Sequence, residues 1–118
     1  MAELAAKDPV DLIHLARYTG GDTSLNAEIL QMFAGQAGEL VARLSGLLAA
    51  PDAKAWRELN HTIKGAARGV GAFALADVAA KAEPLDPAAN NAEAAAIMRE
   101  MAIRTEAVCC FIQDYLNY

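Results

Sequence analysis

The sequence lacks the features that mark several large classes of protein. None of its apolar stretches approaches the roughly 20 residues that a helix needs to span a bilayer. Its first residues, Met-Ala-Glu-Leu, do not show the basic and then apolar order of a secretion signal. Acidic residues outnumber basic ones, and the net charge of −5 argues against a general nucleic-acid binder. We therefore expect a soluble, cytoplasmic protein that binds neither membrane nor nucleic acid.

Cysteine and histidine are also scarce, with two residues of each. Cys109 and Cys110 are neighbours, and adjacent helical residues point about 100° apart, so a disulfide between them is geometrically implausible. We expect one thiol in the core and one at its edge. The sequence shows no clustered metal ligands, no Gly-rich nucleotide loop and no Ser/His/Asp arrangement. It therefore predicts no bound cofactor or metal and no independent catalytic site.

What the sequence does contain is helix-forming composition, with abundant Ala and few Val, Ile and Thr residues. Capping residues, apolar spacing and Gly or Pro stops predict five helices. Their expected ranges are Asp8 to Thr19, with Pro9 at the first helical position; from Asp22, Thr23 or Ser24 to about residue 48; Asp52 to Arg68, ended by Gly69 and Gly71; Ala72 to Pro84 or Pro87; and Ala92 to Leu116.

Long helices joined by short loops pack as antiparallel neighbours. A length of 118 residues is usual for one domain. We therefore predict a single all-α domain over residues 1–118, an antiparallel four-helix bundle with a short additional N-terminal helix. Ile97, Met101, Val108, Ile112 and Tyr115 are the expected inward positions of the last helix.

The third predicted helix separates apolar from basic side chains on a helical wheel. The apolar side holds Trp56, Leu59, Ile63, Ala66 and Val70. The opposite side holds Lys54, Arg57, His61, Lys64, Gly65 and Arg68. Four of the ten Lys and Arg residues thus lie on one stripe of an acidic protein. We expect His61 to be exposed in the middle of this row of cations.

A basic stripe is usually no more than a solvated helix face, but this one also suits a phosphoryl carrier. Neutral imidazole is a nucleophile near neutral pH, because histidine titrates at about 6.5. Lys64 lies one turn and Arg68 two turns beyond His61, so both could reach a phosphoryl oxygen. Gly65 costs the helix about 1 kcal/mol relative to Ala, and leaves room for a partner beside the imidazole. His14 has no such neighbours and is interpreted as structural.

The segment from His61 to Gly71 resembles the signature of histidine phosphotransfer (HPt) domains. That pattern is His-x-x-Lys-Gly, then small residues, then Gly ten residues after the histidine, and Leu75 follows at a usually apolar position. The resemblance covers nearly the whole chain, although residues 60 to 85 are the diagnostic part. It implies a four-helix bundle that is phosphorylated on the outer Nε2 of His61. It also implies a hydrogen bond from Nδ1 to a residue 22 positions later, which is Glu83 here.

The resemblance further implies a phosphorelay carrier rather than an enzyme. Such a carrier accepts a phosphoryl group from a sensor or hybrid histidine kinase and exchanges it with the aspartate of a response-regulator receiver domain. The receiver would supply the aspartate and Mg²⁺. The candidate docking residues are Arg57, Gly65, Gly71 and Phe73, and Phe73 is expected to share the outward side of its helix with Ala76 and Ala80.

Two alternatives remain open at this point. The first is a helical adaptor that binds a receiver without carrying phosphate, although the combination of His61, Lys64 and Gly65 argues against it. The second is the dimerising, histidine-bearing half of a kinase, which usually has an acidic residue after the histidine and a proline soon afterwards. Here Thr62 follows, and the next proline is Pro84. Because five helices can close a bundle alone, we expect a monomer.

Overall fold

The computed structural model describes residues 8–117, which form five helices and no strands. Residues 1–7, including those on which the secretion-signal prediction rested, and residue 118 lie outside this range. The helices are α1 (Leu12–Thr19), α2 (Thr23–Gly46), α3 (Ala53–Val70), α4 (Phe73–Ala82) and α5 (Asn91–Leu116). The predicted all-α fold is confirmed.

Helices α2 to α5 form the bundle, and α1 packs across α2 and α3. Each bundle helix contacts two others, so that α3 lies between α2 and α4, and α5 closes the ring between α4 and α2. Two side-chain hydrogen bonds show that α2 and α5 are antiparallel. Asn26, near the start of α2, donates to the Tyr115 hydroxyl, whereas Asn91, at the start of α5, donates to the Leu48 carbonyl.

The prediction that α1 begins at Asp8 and Pro9 is wrong, because the helix begins at Leu12 and is capped by Asp11. Oδ1 of Asp11 accepts the amide hydrogens of Ile13 and His14, each at 3.0 Å. The Asp11 amide itself donates to the Gly71 carbonyl at 2.9 Å, and Val10 is buried. Residues 8–11 are therefore tied to the end of α3 instead of forming a first helical turn.

The other helix ends agree with prediction to within a few residues. Asp22 caps α2 and Asp52 caps α3, each accepting an amide hydrogen from the first turn. Helix α2 stops at Gly46, and α3 continues past Gly69 to Val70. Gly71 then adopts a left-handed conformation, with φ of +84°, and ends α3.

The core contains the apolar stripe predicted for α3, with one shift. Ala67 is fully buried, and Ala66 is only half-buried. On α5 the inward row is Ala94, Met98, Met101, Thr105, Val108 and Ile112. Ile97 and Tyr115, which were predicted to point inward, are half-buried at the edge of this row.

Both cysteines are free; Cys109 is half-buried, so it is not the core thiol that we expected, and Cys110 is exposed. Burial, together with the neighbouring Cys110, raises the pKa of the Cys109 thiol. Within residues 8–117, no helix combines the length and apolar character needed to cross a membrane.

Candidate functional site

The imidazole of His61 lies in the middle of α3 on the face turned away from the core. Its side chain is 72% exposed, as the wheel predicted. Ile63 and Trp56, on the opposite side of the helix, are buried and set the rotation of α3. The amphipathic pattern of the helix is therefore what places the imidazole in solvent.

Glu83 follows the last residue of α4 and lies beside the inner edge of the imidazole. Its Oε2 is 3.6 Å from Nδ1 of His61. This separation is longer than a hydrogen bond, so the interaction in this structure is electrostatic. The structure therefore brings together the two residues that the resemblance paired. Pro84 does not displace Glu83, whose backbone stays in the α region (φ −52°, ψ −45°).

Lys64 differs from our expectation, because its side chain is not solvent-facing. It is only 20% exposed, and its Nζ donates to Oε1 of Glu83 at 2.6 Å. Lys64 lies on the side of α3 that packs against α4, so its ammonium group is held at the seam between the two helices. A phosphoryl group on His61 would have to draw this cation away from Glu83 or share it.

The charges around Glu83 keep its side chain ionised. The hydrogen bond from Lys64 is the main cause that lowers the pKa of the Glu83 carboxyl group. Partial burial acts in the opposite direction, and the charges of Lys64 and His61 lower the pKa further. A carboxylate facing Nδ1 favours the tautomer in which Nδ1 carries the proton. The lone pair of Nε2 is then directed outward.

The remaining cations of the stripe are exposed. They are Lys54, Arg57 and Arg68. Nζ of Lys54 lies 3.9 Å from Glu58, one turn further on. Arg57 lines a shallow depression together with His61 and Glu83. The stripe thus provides exposed positive charge on both sides of the imidazole along α3.

The two glycines predicted to dock a partner, Gly65 and Gly71, have different environments. At Gly65 an added Cβ would meet no atom within 4 Å, so no packing contact within residues 8–117 requires a glycine. Gly71 is buried, and a Cβ there would lie 2.7 Å from the Asp11 carbonyl oxygen. The assignment of Gly71 to the docking surface is therefore wrong. This glycine serves the turn after α3 and its contact with the segment that precedes α1.

Phe73 lies at the start of α4, just beyond the end of α3. It is 41% exposed, and its ring packs edge-on against His14 at a centroid distance of 5.0 Å. Ala80 is half-buried, and Ala76 is buried, so the predicted outward row is wrong. The exposed row of α4 is Phe73, Asp77 and Lys81.

Sequence reasoning missed the exposed apolar residues of α1. Ile13 and Tyr18 are 83% and 67% exposed, and Tyr18 also contacts His14 edge-on. The available signal was the presence of two large apolar residues outside the buried row of a short helix.

Comparison with known proteins identifies the family of this chain. The sequence pattern of the Hpt domain matches residues 28–109. The chain therefore belongs to the Hpt domain family, and it is a histidine phosphotransfer carrier of phosphorelays rather than an enzyme of the ordinary kind. Comparison with curated protein sequences gave no match.

The fold is similar to the crystal structure of histidine-containing phosphotransfer protein B (HptB) from Pseudomonas aeruginosa PAO1. The two structures superpose with a TM-score of 0.83 over 95% of this chain and 98% of that chain, at 24% sequence identity. The family match favours neither the phosphate-free adaptor nor the kinase half.

Proposed function

We propose that His61 is the residue that carries the phosphoryl group, and that it exchanges this group with the aspartate of a response-regulator receiver domain. The observation that carries this proposal is an exposed imidazole whose Nδ1 faces an ionised carboxylate. Only His61 has this environment, since the ring of His14 is packed between Tyr18 and Phe73.

In the transfer step, the Nε2 lone pair attacks the phosphorus atom of the receiver's aspartyl phosphate. The N–P bond forms, the P–O bond to the aspartate breaks, and its electron pair returns to the carboxylate. The imidazole ring then carries a positive charge with the proton still on Nδ1. We expect Glu83 to stabilise that charge. We also expect Lys64, Arg57 and Arg68, which lie within about two turns of His61 on α3, to neutralise phosphoryl oxygens.

The same proposal covers the partners and conditions of the carrier. A sensor or hybrid histidine kinase is the upstream donor, and the receiver brings the Mg²⁺, so that this chain works in the cytoplasm as a monomer without a cofactor. Arg57, Gly65 and Phe73 contact the receiver. The basic stripe supports this choice of partner, because an aspartyl phosphate site is negatively charged.

The test uses the fact that the chain has only two histidines. His61→Gln and the matched control His14→Gln are incubated with a phosphorylated receiver, and their folding is compared by circular dichroism. We expect acid-labile label on the wild-type protein and on His14→Gln, and none on His61→Gln. Label that persists on a folded His61→Gln variant would show that the assignment is wrong.

A further inference from the structure

A buried hydrogen bond connects α3 to the end of α4 directly behind the site. Trp56, which is fully buried and lies five residues before His61, donates its indole Nε1 hydrogen to the Ala82 carbonyl oxygen at 2.7 Å. Ala82 is the last residue of α4, and Glu83 is the next residue in the chain. The bond therefore ends one peptide unit away from the carboxylate that faces His61.

The end of α4 is packed through the buried Ala79 and Ala82 and tied by the ion pair of Lys64 with Glu83, but its backbone has few hydrogen-bond partners of its own. The helix has only ten residues, and helices of this length are marginal without tertiary contacts. The carbonyl groups of a last turn have no partners within the helix. Pro84 follows Glu83 and has no amide hydrogen, so it cannot donate the next hydrogen bond of the helix. Of these carbonyls, that of Ala82 is satisfied by Leu85 at 3.0 Å and by Trp56.

We propose that Trp56 is a positioning residue, whose indole N–H fixes the end of α4 so that Glu83 stays beside Nδ1 of His61. This inference rests on the proposed function of His61. The indole ring belongs to the same helix as His61. The hydrogen bond therefore ties the end of α4, and with it Glu83, to the helix that carries the imidazole. Glu83 can then orient the imidazole without a direct hydrogen bond, because its own backbone is held in place.

The distances in the site show why the position of Glu83 is important. Oε2 of Glu83 is already 3.6 Å from Nδ1, whereas Oε1 is 2.6 Å from Lys64. If the end of α4 moved outward by about 1 Å, the electrostatic interaction between the Glu83 carboxylate and Nδ1 would weaken. Misplacement on that scale can reduce reaction rates by up to about a hundredfold.

Trp56 is the chain's only tryptophan, which permits a conservative test. Supplying β-(3-benzothienyl)alanine during expression replaces Trp56 alone, and puts sulfur in place of N–H in a ring of nearly the same shape. Trp56→Phe is the second variant. We expect both proteins to fold and to take up phosphoryl from phosphoramidate at least about tenfold more slowly than the wild type. We also expect the pKa of Glu83, followed by carbon-13 NMR, to rise towards its ordinary value.

The matched control is Ile112→Val, a substitution at a buried position of α5 near the opposite end of the bundle. This change should lower the melting temperature without altering phosphoryl uptake or the pKa of Glu83. A purely structural role for Trp56 predicts that the Trp56 variants behave in the same way as Ile112→Val. That outcome would overturn the proposal.

A double-mutant cycle tests whether Trp56 acts through Glu83. In a Glu83→Ala background, removal of the indole N–H should have no further effect on the rate of phosphoryl uptake. An undiminished effect would show that Trp56 acts by another route. If wild-type protein takes up no label at His61, the proposed function fails, but the pKa of Glu83 in the Trp56 variants still tests the positioning role.

Discussion

The side chains of Lys64 and Glu83 are already paired in the unphosphorylated carrier, which changes the role expected of each. Lys64 is held at 2.6 Å from the carboxylate instead of waiting in solvent for a phosphoryl group. Glu83 is shared between a cation and an imidazole, and its pKa is lowered for that reason. Phosphorylation would add negative charge beside this pair, so Lys64 becomes a cation shared by two anions.

Removing this cation should affect transfer more than folding. We expect Lys64→Ala to slow transfer from a phosphorylated receiver and to shorten the lifetime of phosphohistidine. The variant should still fold, although its free energy of unfolding should fall because a partly buried ion pair is lost. Urea unfolding and the decay of label measure the two effects. Unchanged transfer and unchanged lifetime together would contradict a role for Lys64.

The lowered pKa of Glu83 predicts how stability depends on pH. A carboxyl group whose pKa falls on folding binds fewer protons in the native state, so its contribution to stability is fully present above its ordinary pKa. That contribution is lost as the pH falls through the lowered pKa of the folded protein. Glu83→Gln should therefore lose stability at neutral pH but converge with the wild type in acid. Parallel curves of unfolding free energy against pH would contradict this.

Gly65 should show opposite effects on stability and function. The space above it is open, so a side chain fits there. Gly65→Gln should stabilise the helix by up to about 1 kcal/mol, and its melting temperature should stay the same or rise. The new side chain would project beside His61, and transfer from a protein donor should fall sharply while uptake from phosphoramidate changes little. A stable variant that transfers at the normal rate from both donors would disprove the clearance role.

At the scale of elements, the turn after α3 joins the site helix to the segment before α1. Gly71 has φ of +84°, and its carbonyl accepts the Asp11 amide. Gly20 ends α1 with φ of +65°, but nothing lies within 4 Å of a Cβ added there. The two glycines therefore have similar backbone conformations in different surroundings.

This difference gives a prediction with an internal control. Gly20→Ala should cost about 1–2 kcal/mol of unfolding free energy, the ordinary penalty of a left-handed backbone. Gly71→Ala should cost clearly more. Its Cβ would lie 2.7 Å from the Asp11 carbonyl oxygen, so the Asp11 backbone would also have to move. Denaturant titration of both variants compares the two costs. Equal losses of unfolding free energy in the two variants would show that the Asp11 backbone can move aside at no cost.

At the scale of the whole molecule, charge is distributed unevenly between helices. Four cations lie on α3, while α5 holds two, Arg99 and Arg104, with four acidic residues. The helix that carries His61 is thus basic within a protein of net charge −5. This arrangement should attract an acidic partner to one side of the bundle.

Salt should therefore slow transfer from a receiver, since at 0.1 M it largely screens the attraction between exposed charges that are more than about 10 Å apart. Uptake from a small donor should respond less. Arg57→Gln should lower the rate of transfer from the receiver and should make that rate less dependent on salt. Arg99→Gln, on the exposed side of α5, should change neither the rate nor its salt dependence. Stopped-flow measurements over a range of salt concentrations compare them, and equal effects of the two variants would contradict a directed electrostatic surface.

The helices and the exposure of His61 follow from local sequence patterns. Apolar spacing, Asp22 and Asp52 as caps, and the burial of Trp56 opposite His61 are local properties of the chain, because a 3.6-residue period fixes which side chains share a face. The HPt signature added Glu83 as the partner of the imidazole.

Which helix faces meet depends instead on packing between the helices. The pairing of Lys64 with Glu83, the bond from Trp56 to Ala82 and the burial of Ala76 all depend on how α4 rotates against α3. The start of α1 at Leu12 likewise depends on a contact between Asp11 and Gly71, which are far apart in sequence. Periodicity specifies an apolar face only to within about one residue, or 100°, and packing between helices selects among those rotations.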